Sequence, residues 1–169
     1  MPLSMYSQSV PVFVRNLTNL SAILDKTAQH CTDNKIDPAV LLSSRLFPDM
    51  FPLTKQVQLV SDFAKGGAAR LAGVEVPKYE DTETTIDDLK ARLAKTLSFV
   101  QSIAEAKYDG ADARTVTIPM RGEQKSFPGL VYLNNAVMPN FYFHLATAYN
   151  ILRHNGVPLG KSDFIGPMA

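Results

Sequence analysis

Residues 53–73 read LTKQVQLVSDFAKGGAARLAG, and within them Leu53, Val57, Val60, Ala64, Ala68 and Leu71 recur at intervals of three and four, the period of one helical face. Gly73 then supplies a left-handed cap, and Pro77 stops the helix from resuming. Ahead of it, Pro48-Asp49-Met50-Phe51-Pro52 brackets a tight connection in which Asp49 is placed to cap the free amides of the helix. Asp62 falls opposite the apolar stripe and is solvated unless a second packing face, begun by Leu59 and Phe63, draws it inward. Gly66 and Gly67 each cost about 1 kcal/mol of helix propensity relative to alanine, which points to another helix approaching closely, for packing or for dimerisation.

Three further helices follow from the same period. Val10, Phe13, Leu17, Leu20, Leu24 and Ala28 define the first, with Pro11 expected to bend its early turns, and Asp37-Pro38 opens a short helix after it. Ile86, Leu89, Leu93, Leu97, Val100 and Ala104 form another stripe behind an acidic, threonine-rich capping segment, leaving Lys90, Arg92 and Lys95 on the wet side. The last runs from Leu130 to Asn155 through Leu130, Leu133, Val137, Phe141, Leu145, Ala148 and Leu152, with a kink expected at Pro139. Between these two, Arg114–Ile118 and Glu123–Phe127 alternate across Arg121-Gly122 as a small hairpin that must lean on the helices. The expected fold is all-α: a four-helix bundle with a small β-hairpin inserted before the last long helix, one domain over residues 1–169.

Seventeen basic against sixteen acidic residues leave a net charge of +1, so nothing favours nucleic acid or an anionic membrane surface as partner. No apolar run reaches the roughly 18 residues of a membrane span. The opening Met1-Pro2-Leu3-Ser4-Met5-Tyr6 does not read as a secretion leader, and one cysteine, Cys31, cannot form an internal disulfide. The expected location is cytoplasmic.

Three histidines bound the catalytic options. His144 lies within about 40° of the middle of the last helix's stripe at about 100° per residue, so it faces the core. There it is either a neutral imidazole satisfied by a buried hydroxyl, amide or carbonyl, or an inward-facing metal ligand or proton acceptor. Asn134 points near the same stripe, and Asn140 stands one turn before His144. His154 belongs to the final turn of its helix, and His30 to the end of the first; neither shares a ligand spacing with His144. Phosphate-binding glycine loops, a GxSxG elbow and paired-cysteine sites are absent from the sequence.

The segments Ser9-Val10-Pro11-Val12-Phe13-Val14, Leu46-Phe47-Pro48-Asp49-Met50-Phe51-Pro52-Leu53-Thr54-Lys55-Gln56 and Pro139-Asn140-Phe141-Tyr142-Phe143-His144 together resemble the bacterial domain-of-unknown-function family numbered nineteen ninety-three. Ala68-Ala69-Arg70-Leu71-Ala72-Gly73, Tyr149-Asn150-Ile151-Leu152-Arg153-His154-Asn155-Gly156 and Gly160-Lys161-Ser162-Asp163-Phe164 extend the resemblance over nearly the whole chain. That family looks like a branch of the DinB/YfiT-like superfamily, which implies a four-helix bundle, often dimeric, and in many members a three-histidine metal site. There one histidine comes from the second helix and two, four residues apart, from the last. Here His144 matches one of them, Ala148 stands four residues on, and the helix-two region offers Asp62-Phe63, so at most one of the three ligands is retained. The reading that follows is a homodimeric small-molecule-binding or structural module without an assigned reaction, with no cofactor and a pocket formed around His144, Asp49, Asn140 and Asn134. The alternative is a metal-dependent enzyme of hydrolase or thiol-transferase type, in which His144 with Asp49 or Asp62 holds a divalent ion such as zinc or nickel. A third reading makes the exposed hairpin a docking edge for a protein partner.

Overall fold

A computed structural model describes residues 4–167; the reading of Met1-Pro2-Leu3 as free of a leader falls outside them. The chain forms α1 (Met5–Asn34), α2 (Pro38–Ser43), α3 (Leu53–Ala72) and α4 (Ile86–Ser102), then a short 3₁₀ turn (Glu105–Tyr108). The strands β1 (Thr115–Met120) and β2 (Glu123–Pro128) follow, then α5 (Gly129–Tyr132), a π turn (Leu133–Val137), α6 (Met138–His154) and α7 (Lys161–Ile165). The fold is therefore mostly helical with one two-stranded antiparallel hairpin, in which Thr115 pairs with Pro128 and Met120 with Glu123.

Local chemistry sets the helix ends. Ser4 and Ser7 close a reciprocal capping box on α1, and Thr85 and Asp88 do the same on α4, satisfying amides that have no partner within the helix. Asp37 caps α2 through the amide of Ala39, with Pro38 in the first turn. The end of α3 is Gly73 at φ 68°, whose N–H bonds the carbonyls of Ala69 and Arg70. Its start differs from expectation: Asp49 is exposed in the preceding turn and caps nothing, and Pro52 occupies the cap position. The Leu53 amide is instead taken by the Ser44 carbonyl at 2.9 Å, so the backbone itself removes the need for a carboxylate cap.

Packing places α3 between α4 and α6, while α1 closes onto α4 and carries α7 on its other side. The stripe residues Leu53, Val57, Val60, Ala64, Ala68 and Leu71 are all fully buried, and Phe13 of α1 meets Phe141 of α6 edge to face at 5.2 Å between centroids. No residue of α3 is exposed, so its second face is also covered. The helix runs unbroken through Pro11 in α1.

Four expectations are corrected. Ala104 is exposed beyond the end of α4 at Ser102, and Ile103 is buried instead. Arg92 is buried, because residues 74–85 fold back over the α3–α4 face and bring carboxylates onto it. Leu130 is 42% exposed and Asn134 lies at the surface, because the π turn adds a residue to one helical turn and rotates everything before it relative to the downstream stripe. Tyr132 and Gly129 point inward in their place.

The glycine pair serves two purposes. A Cβ at Gly67 would fall 2.7 Å from Val137 Cγ1 and 3.3 Å from the Phe13 ring, the close helix approach that the sequence implied. A Cβ at Gly66 would meet the side chain of Arg70, 2.5 Å from Nη1. Gly67→Ala gains about 1 kcal/mol of helix propensity but overpacks a stiff β-branched neighbour at about 1–3 kcal/mol. Its expected outcome is a lower urea midpoint than the parent; a higher midpoint would refute the packing.

Candidate functional site

His144 projects from α6 into the α3 interface and is 8% exposed. Its Nδ1 lies 2.7 Å from Gln56 Oε1, while Gln56 Nε2 donates to the Phe51 carbonyl at 3.0 Å. Turning the Gln56 amide over would set two oxygens against each other at Phe51, so the amide orientation is fixed and the imidazole must be the donor at Nδ1. Nε2 then keeps its lone pair and has no protein partner among the described residues. Phe63 stacks on the ring at 5.7 Å and Phe143 meets it edge-on at 5.2 Å. Burial pulls the imidazole below its ordinary pKa, so the ring is neutral, held in one tautomer and one orientation.

Next to it lies a cavity of about 370 Å³ under the hairpin. Its apolar wall comes from Leu59 and Phe63 of α3, Ile118 and Met120 of β1, and Ala136 of the π turn. Four polar groups converge on it: Asp62, Arg70, Tyr132 and Asn140. Mostly apolar walls with a few placed polar groups are the usual character of a small-ligand site. His144 borders this cavity through Phe63, which separates it from the space, and through Asn140 one helical turn earlier.

Asp62 is drawn inward, as the second face of α3 allowed, and its Oδ1 accepts from both Lys65 and Arg92, the latter at 2.8 Å. Arg92 also reaches Glu83 at 2.9 Å and Asp81 at 3.0 Å. Burial acts to raise the Glu83 carboxyl, but hydrogen bonds from Arg92 and Gln58 outweigh it and hold the group below the usual carboxylate range. Lys65 and Lys95 each stand 4.2 Å from the centre of the Tyr79 ring. A cleft of about 430 Å³ lies over Tyr79 and Arg92, and its arginine is already paired with Glu83. Another of that volume lies beside Cys31, a thiol raised by burial and so kept protonated.

Of the residues singled out from sequence, the structure brings Asn140 and Asp62 to one cavity and sets His144 behind it. Asp49 and Asn134 are at the surface and take no part. Arg70 and Tyr132 were missed as site residues. A signal for Arg70 existed in Gly66, one turn earlier on the same face, which leaves bare backbone under a long side chain.

The model for the family described as Domain of unknown function (DUF1993) matches residues 5–165. The chain belongs to that family. It is also similar to a crystal structure of a DinB family member protein from Shewanella denitrificans, at 42% identity, over 97% of this chain and 93% of that one, with a TM-score of 0.92. Similarity at that level and coverage makes it a DinB family protein as well. No curated protein matches the chain.

The metal site known from DinB-like proteins can be tested against these residues. Open-site zinc takes three protein donors. Here His144 supplies one, Asn140 and Ala148 flank it at four-residue spacing, α3 faces it with Gln56 and Phe63, and Asp62 is committed to two cations. Among the described residues no three His, Cys, Asp or Glu side chains converge. This donor set does not fit such a metal.

The neutral state of His144 has a pH signature. Above its ordinary value of 6.5 the ring is uncharged in both folded and unfolded chains and adds no pH dependence. Below it, the unfolded chain binds a proton that the folded chain resists, so stability falls as pH falls until the folded ring also protonates. In urea titrations, His144→Gln is expected to flatten the pH dependence just below 6.5. An unchanged slope would show that the ring is not held neutral.

Proposed function

We propose that this DUF1993 protein is a small-molecule-binding module of DinB type, a single four-helix-bundle domain whose ligand site is the cavity between the hairpin, α3 and the α5–α6 segment. The observation that carries this reading is the convergence of four polar side chains from two helical segments on one apolar space. The π turn supports it: such turns recur at functional sites, and this one supplies Ala136 to the wall and joins Tyr132 to the helix that bears Asn140. His144 serves the site by position: clamped through Nδ1, it holds Phe63 by stacking and fixes one wall.

Support for a homodimer comes from exposed aromatic groups beside that same pair. Phe51, whose carbonyl holds Gln56, and Phe143, which abuts His144, are 54% and 55% exposed, and Phe47 is 63% exposed. Large apolar groups gathered on a surface mark interaction sites. A cytoplasmic setting is part of the same proposal; the described residues contain no helix long and apolar enough to cross a membrane.

Ligand-observed NMR screening of small fragments against the parent and Ala136→Trp tests the site. Fragment signals are expected to broaden with the parent and to recover with the variant, whose indole fills the cavity. Fragments that bind both equally would place binding elsewhere. Light scattering of the parent is expected to report twice 18.6 kDa, and Phe51→Ser with Phe143→Ser to return the single-chain mass. A parent that is monomeric at high concentration would end the dimer proposal.

A further inference from the structure

The ligand class follows from the state of one guanidinium, an inference that rests on the cavity being a ligand site. Arg70 stands in the last turn of α3, where a cation would ordinarily serve the terminal carbonyls. It does not do so, since the carbonyls of Ala69 and Arg70 are already bonded by the Gly73 amide. Its side chain runs back one turn over the bare backbone of Gly66, where a Cβ would fall 2.5 Å from Nη1. There Nη1 donates to Tyr132 Oη at 3.2 Å, and no carboxylate lies within salt-bridge distance among the described residues.

The contrast with the other inward-facing arginines is sharp. Arg92 meets three carboxylates. Arg114 donates to the carbonyls of Leu71, Lys107 and Asp109. Arg70 is half-buried on the wall of an apolar cavity, with one hydrogen bond among its five donors and no counter-charge among the described residues, so its remaining donors stay available to a ligand. A planar fork of N–H donors matches a carboxylate in bidentate geometry. Tyr132 adds a second donor: its oxygen accepts from Arg70, so its own proton is free to point at an anion. Burial raises the phenol above its ordinary pKa, which keeps that proton in place.

We propose that the cavity takes a small monocarboxylate with a compact apolar body, its carboxylate gripped by Arg70 and Tyr132 and its body seated against Phe63, Ile118 and Ala136. One uncommitted positive charge matches a ligand with one negative charge, since Asp62 on the same cavity wall is already paired with Lys65 and Arg92 and the wall offers no second free cation among the described residues. A volume of about 370 Å³, near the lower end for small-ligand sites, limits the body.

The test titrates ¹⁵N-labelled full-length protein with phenylacetate and, separately, with its neutral isostere phenylacetamide. Phenylacetate is expected to shift the amides of Ile118, Met120 and Ala136 and to bind at least about tenfold more tightly than the amide. Arg70→Gln should equalise the two probes. Gly66→Ala, which keeps the charge but displaces the guanidinium, should weaken the acid and leave the amide unaffected. It guards against a folding defect in the arginine variant, with circular dichroism as the control for both. Equal affinity of acid and amide for the parent, or acid binding that survives both substitutions, overturns the carboxylate proposal and leaves the cavity reading standing. Absence of shifts at those three amides with either probe overturns both.

Discussion

Helix α3 is covered along its whole length, and that constraint governs the molecule. A helix with one dry face can leave its polar residues in water. One enclosed by α4, α6, the returning segment 74–85 and the hairpin cannot. Each polar side chain it carries must find a partner, and nearly all do: Gln56 with His144 and Phe51, Gln58 with Glu83, Ser61 with Thr96 and Arg92, Asp62 with Lys65 and Arg92. Among the charged side chains of the helix, Lys55, Asp62 and Lys65 have ion pairs, while Arg70 has a single hydrogen bond and no counter-charge among the described residues. The site is thus an exception to a rule that the rest of the helix obeys.

The same constraint explains the character of His144. An imidazole facing a bundle core suits either a metal or a structural bond, and the neighbouring helix decides between them. With Gln56 and Phe63 opposite, the ring gains one amide bond and two aromatic contacts, and no second imidazole or uncommitted carboxylate joins it. Within the DinB family this chain therefore keeps the helical frame and one inward histidine. It surrounds them with amide and aromatic side chains where a metal would need donors.

Much of the frame was legible from side-chain period and capping chemistry. The four stripes, the Asp37-Pro38 start, the Gly73 end and the Arg121-Gly122 hairpin turn all rest on interactions within a few residues, which spacing alone expresses. The inward placement of His144 was legible for the same reason. Arg92 was misread as solvated, because its burial depends on carboxylates from a loop whose path no helical wheel contains. Leu130 and Asn134 were misplaced by a π turn, a register shift of one residue that the sequence does not advertise. Asp49 lost its expected capping role to the Ser44 carbonyl, a backbone group supplied by a connection of irregular shape.

The amino-acid order by itself determined where helices start, stop and turn an apolar side inward, since those outcomes follow from local torsional preference and hydrophobic spacing. It also determined that His144 is the inward imidazole. Tertiary structure alone decided which polar groups are satisfied, because pairing depends on distances between elements far apart in the chain. Arg70 comes over Gly66 to Tyr132, 62 residues away, under a hairpin that closes the space. That assembly gives the protein its cavity and leaves one guanidinium turned toward it.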